Sequence, residues 1–268
     1  LVGSISGVFS VSSTARVYFS QGNLQYQAST KTWRFAEKQY DYIGNGNSNI
    51  SQSYSGWIDL FSWGTSGWNN GNIYYQPWDF QSDYDAYYGY GYGPLGDTEL
   101  SGNYAHSDWG VHNAISNGGN QAGQWRTLSA AEWRYVFNTR TTTSGIRYAK
   151  AQVNGVNGVI LLPDDWMGSY YPLSNTNTSD ASFSNNVIAS SLWTALFEVH
   201  GAVFLPAAGY RFATSLNLVG SSGYYWSTSA YPNTTAANCL SFSDSLLGIG
   251  GDRSRNDALS VRLVRSAQ

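Results

Sequence analysis

With 268 residues, a net charge of -3 and charged side chains at only 12%, this chain offers no basic face for nucleic-acid phosphates. Its 11 Trp, 21 Tyr and 11 Phe supply the apolar area that a disordered chain lacks, and a single Cys excludes an internal disulfide framework. No apolar run reaches the length of a membrane span, so direct membrane insertion is not expected. Little Lys and Glu beside abundant Tyr, Trp, Asn, Gly and Ser is the balance of an extracellular recognition protein, and of paratopes built from rigid aromatics and small polar residues. The first residue is Leu1 rather than Met, so any signal peptide or anchor is expected to have been cut off or to lie outside this sequence.

Residues 6–43 read as antiparallel strands with one wet face. Val8, Ser10 and Val11 lead into Arg16–Phe19, then Leu24–Tyr26, then Trp33–Phe35. Residues 44–105 are rich in Gly, Asn, Ser, Tyr and Asp, with Trp57, Phe61, Trp63, Trp68 and Trp78 among them. A stretch this long without periodicity reads as a loop pinned by aromatics. Asp83, Asp85 and Asp97 lack the spacing of a calcium loop and read as solvated carboxylates, although calcium binding by them stays open.

Ser107-Asp108-Trp109 opens a short helix to about Ser116. Ser129-Ala130-Ala131-Glu132 is a capping box that opens a helix to about Thr139. The stripe Leu192, Trp193, Leu196 and Phe197 predicts a third helix near Ser191–Val199. Between them, 148–153 and 159–162 flank Asn154-Gly155-Val156-Asn157-Gly158 as a hairpin. Late strands are expected at 202–205, 223–227, 238–242, 246–249 and 259–264. No repeat or linker divides the chain, so 1–268 reads as one α+β domain. Residues 1–105 are strands plus a long aromatic and glycine-rich loop insertion, and 106–268 are the core.

From Ser227 to Ala267 the chain contains no Lys, Glu, Gln, Met or Trp. A frame runs through this stretch: Tyr224-Tyr225-Trp226 before it, Leu240 and Phe242 inside it, Ser260–Arg265 closing it. Randomising the adenines of an Asn-type codon reaches every residue type between the frame positions and none of the missing ones. A retroelement diversifies a binding protein in this way, so 227–265 reads as a variable region.

Four blocks carry a family resemblance. Trp125-Arg126-Thr127-Leu128-Ser129-Ala130-Ala131-Glu132-Trp133-Arg134-Tyr135 resembles the capped helix of formylglycine-generating-enzyme-like domains, which share a C-type lectin fold. Leu205–Arg211, Gly223–Ser229 and Ser260–Arg265 look like the C-terminal half of Bacteroides-type variable proteins, the targets of diversity-generating retroelements. The resemblance implies a C-type lectin fold, with antiparallel sheets, two or three short helices and extensive loops.

Formylglycine-generating enzymes hold copper with a C-terminal cysteine pair, and Cys239 alone cannot reproduce that site. His106, His112 and His200 have no ligand spacing, so no catalytic residue, metal or cofactor is expected. The calcium motifs of sugar lectins, Glu-Pro-Asn and Trp-Asn-Asp, have Tyr231-Pro232-Asn233 and Arg255-Asn256-Asp257 as nearest matches; the first lacks its carboxylate. A calcium-bridged sugar is therefore not expected.

What remains is a binding surface. Leu240 and Phe242 share one strand face with Trp226 beneath them, so Ser241 and Ser243 face outward. Around them stand Tyr231 as an aromatic anchor, Asn233, Asn238 and Asn256 as hydrogen-bonders, and Asp244, Asp252, Arg253, Arg255 and Asp257 as charges. Trp125, Trp133 and Trp226 belong to the core. The expected role is a receptor-binding module on a bacterial surface or phage tail that meets a protein or glycan receptor on another cell. Two alternatives stand beside it: a relic of a formylglycine-generating-type oxidase, and a pilus or fibre-tip adhesin assembled through 70–105.

Overall fold

A computed structural model describes residues 1–68, 75–78, 99–232 and 235–267. Asp83, Asp85, Asp97, Asn233 and most of the 70–105 stretch lie outside those residues.

The N-terminal alternation becomes short antiparallel ladders. β1 (Phe9–Ser10) pairs with β2 (Arg16–Phe19), and β3 (Leu24–Gln27) with β4 (Thr32–Phe35). Phe9, Val17, Phe19, Leu24, Trp33 and Phe35 are buried, because alternate residues of a strand point to one side. β5 (Phe61–Ser62) follows a stretch held by side chains rather than by a ladder. Asn47 donates to the Asp59 carboxylate at 2.8 Å and accepts the Asp59 and Leu60 amides at 2.8 and 3.0 Å.

The first helix is shorter than its pattern suggests, while the second and third reach their expected ends. A 3-10 segment, Gly102–Ser107, precedes α1 (Trp109–His112), and Asp108 rather than Ser107 caps α1 by accepting the Gly110 amide at 2.9 Å. The predicted run to Ser116 stops early because Asn113 Nδ2 donates to the Trp109 and Ser66 carbonyls. α2 (Ala130–Arg134) has its capping box, with Ser129 Oγ accepting the Glu132 amide and Glu132 accepting the Ser129 amide. It continues as a π-helical segment, Tyr135–Thr139.

β6 (Tyr148–Val153) and β7 (Val156–Leu161) form the predicted hairpin, but its link is only Asn154-Gly155. Both residues have positive φ, 51° and 77°, as a tight type I′ turn needs. β8 (Val187–Ile188) adds parallel to β6. α3 (Ser190–Leu192) runs into a π-helical segment, Trp193–Glu198, which buries Trp193 and Phe197. β9 (Val203–Pro206) completes that sheet beside β7.

β10 (Tyr210–Phe212) and β11 (Ser215–Asn217) are a hairpin. β12 (Ser222–Ala230), β13 (Ala236–Ser243) and β14 (Leu247–Ser254) form an antiparallel sheet with β13 in the middle. β15 (Ala258–Leu259) bridges β10 and β5, and β16 (Val264–Ser266) pairs with β2. The architecture is α+β, mostly antiparallel sheets with a few short helices.

One apolar cluster joins Phe9, Phe19, Trp133, Phe137, Tyr225, Leu240, Phe242 and Val264. A second joins Tyr26, Trp33, Phe61, Trp63, Trp109, Trp125, Trp226 and Leu263. The expected core residues Trp125, Trp133 and Trp226 are all buried. No helix among the described residues is long and apolar enough to cross a membrane.

Candidate ligand-binding site

The site follows from how β13 is covered. Leu240 and Phe242 share a face, as alternation requires, and pack against Tyr225, whose ring stacks on Phe242 at 6.1 Å. Trp226 is not beneath them. It lies one residue further along β12, opposite Cys239, and so joins Ala237 and Cys239 in the second cluster. Both faces of β13 are therefore covered from Ala236 to Leu240, and only beyond that do Ser241 and Ser243 become half-exposed. Burial pushes the Cys239 thiol up to about 12, which leaves no reactive thiolate near neutral pH.

Where β12 turns into β13, a cleft of about 670 Å³ opens between this sheet and α2. Ala130, Ala131 and Arg134 of α2 form one wall, and Ser229, Ala230, Tyr231, Pro232 and Asn238 the other, with Glu99 and Gly250 also lining it. Its edges are cross-braced. Asn238 Nδ2 donates to the Ala230 carbonyl at 2.7 Å, and Ser229 Oγ accepts the Ala130 amide at 3.1 Å. Burial raises the Glu99 carboxyl above its ordinary range, against hydrogen bonds from Ser229 and the Ala230 amide.

Gly250 is the extra residue of a β-bulge: the register passes from Cys239↔Gly251 to Leu240↔Ile249. Its φ is 83°, and a Cβ there would overlap the Arg134 guanidinium.

The predicted binding residues separate into four places. Tyr231, 37% exposed, and Asn238 line the cleft, although Asn238 itself is buried. Asp252, exposed, pairs with Asn238 across the ladder. At the opposite end of the sheet, Asp244 is exposed but tied down, accepting from Ser182 Oγ at 2.7 Å and the Phe183 amide at 2.8 Å.

Arg253 lies on the other face, its guanidinium 4.3 Å from the rings of both Tyr210 and Tyr224 and 3.6 Å from Asp257. Ser241 shares this face with Tyr224, its cross-strand partner. Arg255 and Asn256 are in the interior. Arg255 packs on Trp63 at 4.5 Å and donates from Nε to the Ala236 carbonyl at 2.9 Å, while the Asn256 carbonyl accepts from Ser62.

Four residues expected at the surface, Asn238, Arg255, Asn256 and Asp257, are therefore buried. The reason is that 244–258 is not a free loop. β14 occupies most of it, and the turn that follows is drawn inward, with the Trp63 amide donating to the Arg255 carbonyl at 2.9 Å.

Asp257, Asp59 and Asp108 share an electrostatic property: burial pushes each carboxyl up to about 6, outweighing the hydrogen bonds or the Arg253 charge that favour ionisation. A raised carboxyl pKa stabilises the fold fully below the unfolded value, about 4, and that stability is lost as pH rises through about 6. Asp244 is shifted the other way, so its contribution falls away only at more acidic pH. The thermal midpoint should therefore climb on acidification from about pH 7.5 to about pH 5. A midpoint that is flat or falling across this window would contradict the burial of these acids.

Sequence reasoning missed Glu99, Arg134 and the Tyr210–Tyr224 pair as site residues. Arg134 sits inside the capped-helix block beside Trp133, and an exposed cation next to a core aromatic was the available signal. Glu99 carried none, being brought in by a backbone bond from Leu100 to the Thr228 carbonyl. Among the described residues, no group of three or more His, Cys, Asp or Glu assembles into a metal site. Comparison with protein-family models, curated proteins and solved structures matches this chain to none of them.

Proposed function

We propose that this chain is a ligand-binding module of C-type lectin fold whose C-terminal region, about 227–265, is diversified by a retroelement. In this reading it is displayed on a bacterial surface or phage tail and engages a receptor on another cell. The observation that carries the reading is how the segment divides. Leu240, Phe242, Val261, Arg262, Leu263 and Val264, all frame positions, are buried. Between them, Tyr231, Ser241, Ser243, Asp244, Asp252 and Arg253 keep solvent access, whereas 236–239 and 255–259 are buried, so the positions free to vary are the accessible subset only. A protein that varies its binding surface needs this partition, because buried polar substitutions cost about 1–3 kcal/mol and surface ones usually within about 0.5 kcal/mol. Of these accessible residues Tyr231 borders the cleft, a concave surface of the kind that takes a ligand.

Two measurements test the proposal. The coding DNA should have a nearby near-copy of its 3′ end that differs only at adenines, next to a reverse transcriptase gene; a locus with neither ends the diversification reading. Simultaneous replacement of Ser241, Ser243 and Asp252 by Ala should move folding stability by less than about 1.5 kcal/mol, since each site is at the surface. A larger loss in urea unfolding would place these residues in the structural frame instead.

A further inference from the structure

Arg134 is the charge in the cleft that the fold leaves unspent. Arg126 is paired with Glu132 at 2.6 Å, Arg140 with Asp164 at 3.0 Å and Arg253 with Asp257 at 3.6 Å. Arg134 is exposed at the end of α2, and no ion pair engages it among the described residues. Its guanidinium lies across the β-bulge at Gly250, over the place a Cβ there would occupy. The planar donor fork of a guanidinium matches a carboxylate.

The rest of the cleft decides what carries the carboxylate. Ala130, Ala131, Ala230, Pro232 and the Tyr231 ring are largely apolar surfaces, and the acid in the lining, Glu99, is engaged by hydrogen bonds from Ser229 and the Ala230 amide. The Ser229 hydroxyl and the Asn238 amide nitrogen already bond within the protein. A sugar needs several free polar partners for its hydroxyls, whereas a peptide side chain needs one at its tip and apolar walls along its stem.

We infer that the cleft binds the carboxylate of an acidic peptide segment, with Arg134 of α2 as the anchor and Tyr231 as the aromatic wall. This inference rests on the binding-module reading.

The test is an array of immobilised peptide pairs that differ only by Glu against Gln, with sialylated glycans printed beside them as the other source of carboxylate. The full chain should prefer the Glu member of its bound pairs by about tenfold. Arg134→Gln should abolish that preference and Arg134→Lys retain part of it. Ala131→Glu places a carboxylate on the same helix face three residues before Arg134, and should weaken binding from within. Ala131 and Arg134 are both exposed, so unchanged thermal midpoints will certify the variants. A Glu preference that survives in Arg134→Gln overturns the inference, as does binding to sialylated glycans alone or to no peptide. Peptide binding that depends on Tyr231 but not on Arg134 overturns the anchor while leaving the binding module standing.

Discussion

Trp226→Ala should lower folding stability by about 3–5 kcal/mol. Trp226 has no exposed surface and packs among Trp63, Phe61, Val261 and Leu263. Its Nε1 donates to the Phe61 carbonyl at 2.7 Å, and its own carbonyl accepts from Trp133 Nε1 at 3.3 Å. Truncation opens a cavity among large rigid side chains that cannot collapse into it, and it strips the Phe61 carbonyl of its donor. Urea unfolding of parent and variant reads the difference directly. If the two unfold alike, Trp226 is not part of the core and the two-faced covering of β13 is wrong.

Asp164→Ala should cost about as much, roughly 3–5 kcal/mol, for a different reason. Asp164 accepts from Arg140 Nη1 at 3.0 Å, from the Ser10 amide at 2.9 Å and from Ser10 Oγ at 2.6 Å. It ties β1, the end of the α2 segment and the β7 exit together. The Arg140 side chain is wholly buried, and that burial already lowers its pKa to about 10 against the help of Asp164. Without the carboxylate a buried cation is left with carbonyl partners alone, the Val136 and Arg147 oxygens. Asp164→Asn keeps the shape and removes the charge, so it should fall between parent and Ala. An alanine variant as stable as the parent would show that the carbonyls suffice.

Local chemistry explains which parts of this fold are legible in the residue order. The Ser129–Glu132 capping box, the Asn154-Gly155 turn and the N-terminal strand pairs depend on residues within a few positions of each other, where propensity and hydrogen-bonding reach are decisive. Trp125, Trp133 and Trp226 read as core because large aromatics in a chain this size have little else to do. Alternation places Leu240 and Phe242 on one face correctly.

What alternation cannot say is how many of those faces are covered. Ser241 and Asn238 are both polar positions on β13. Ser241 is half-exposed because the second aromatic cluster on its face ends at Cys239, whereas Asn238, on the opposite face, is buried where its Nδ2 donates to the Ala230 carbonyl beside α2. Arg255, Asn256 and Asp257 look like loop residues in isolation. They are interior because Trp63, almost two hundred positions earlier, offers a ring to the Arg255 guanidinium and an amide to its carbonyl. The cleft is wholly a tertiary object: Glu99, Arg134, Tyr231 and Gly250 meet only through β-sheet register and the docking of α2. Residue order was enough for the local elements, the aromatic core and the polar, weakly charged character of the C-terminal segment. Long-range packing alone settles which of those polar residues face solvent and which hold the interior together, since exposure is set by neighbours that the chain brings from far away.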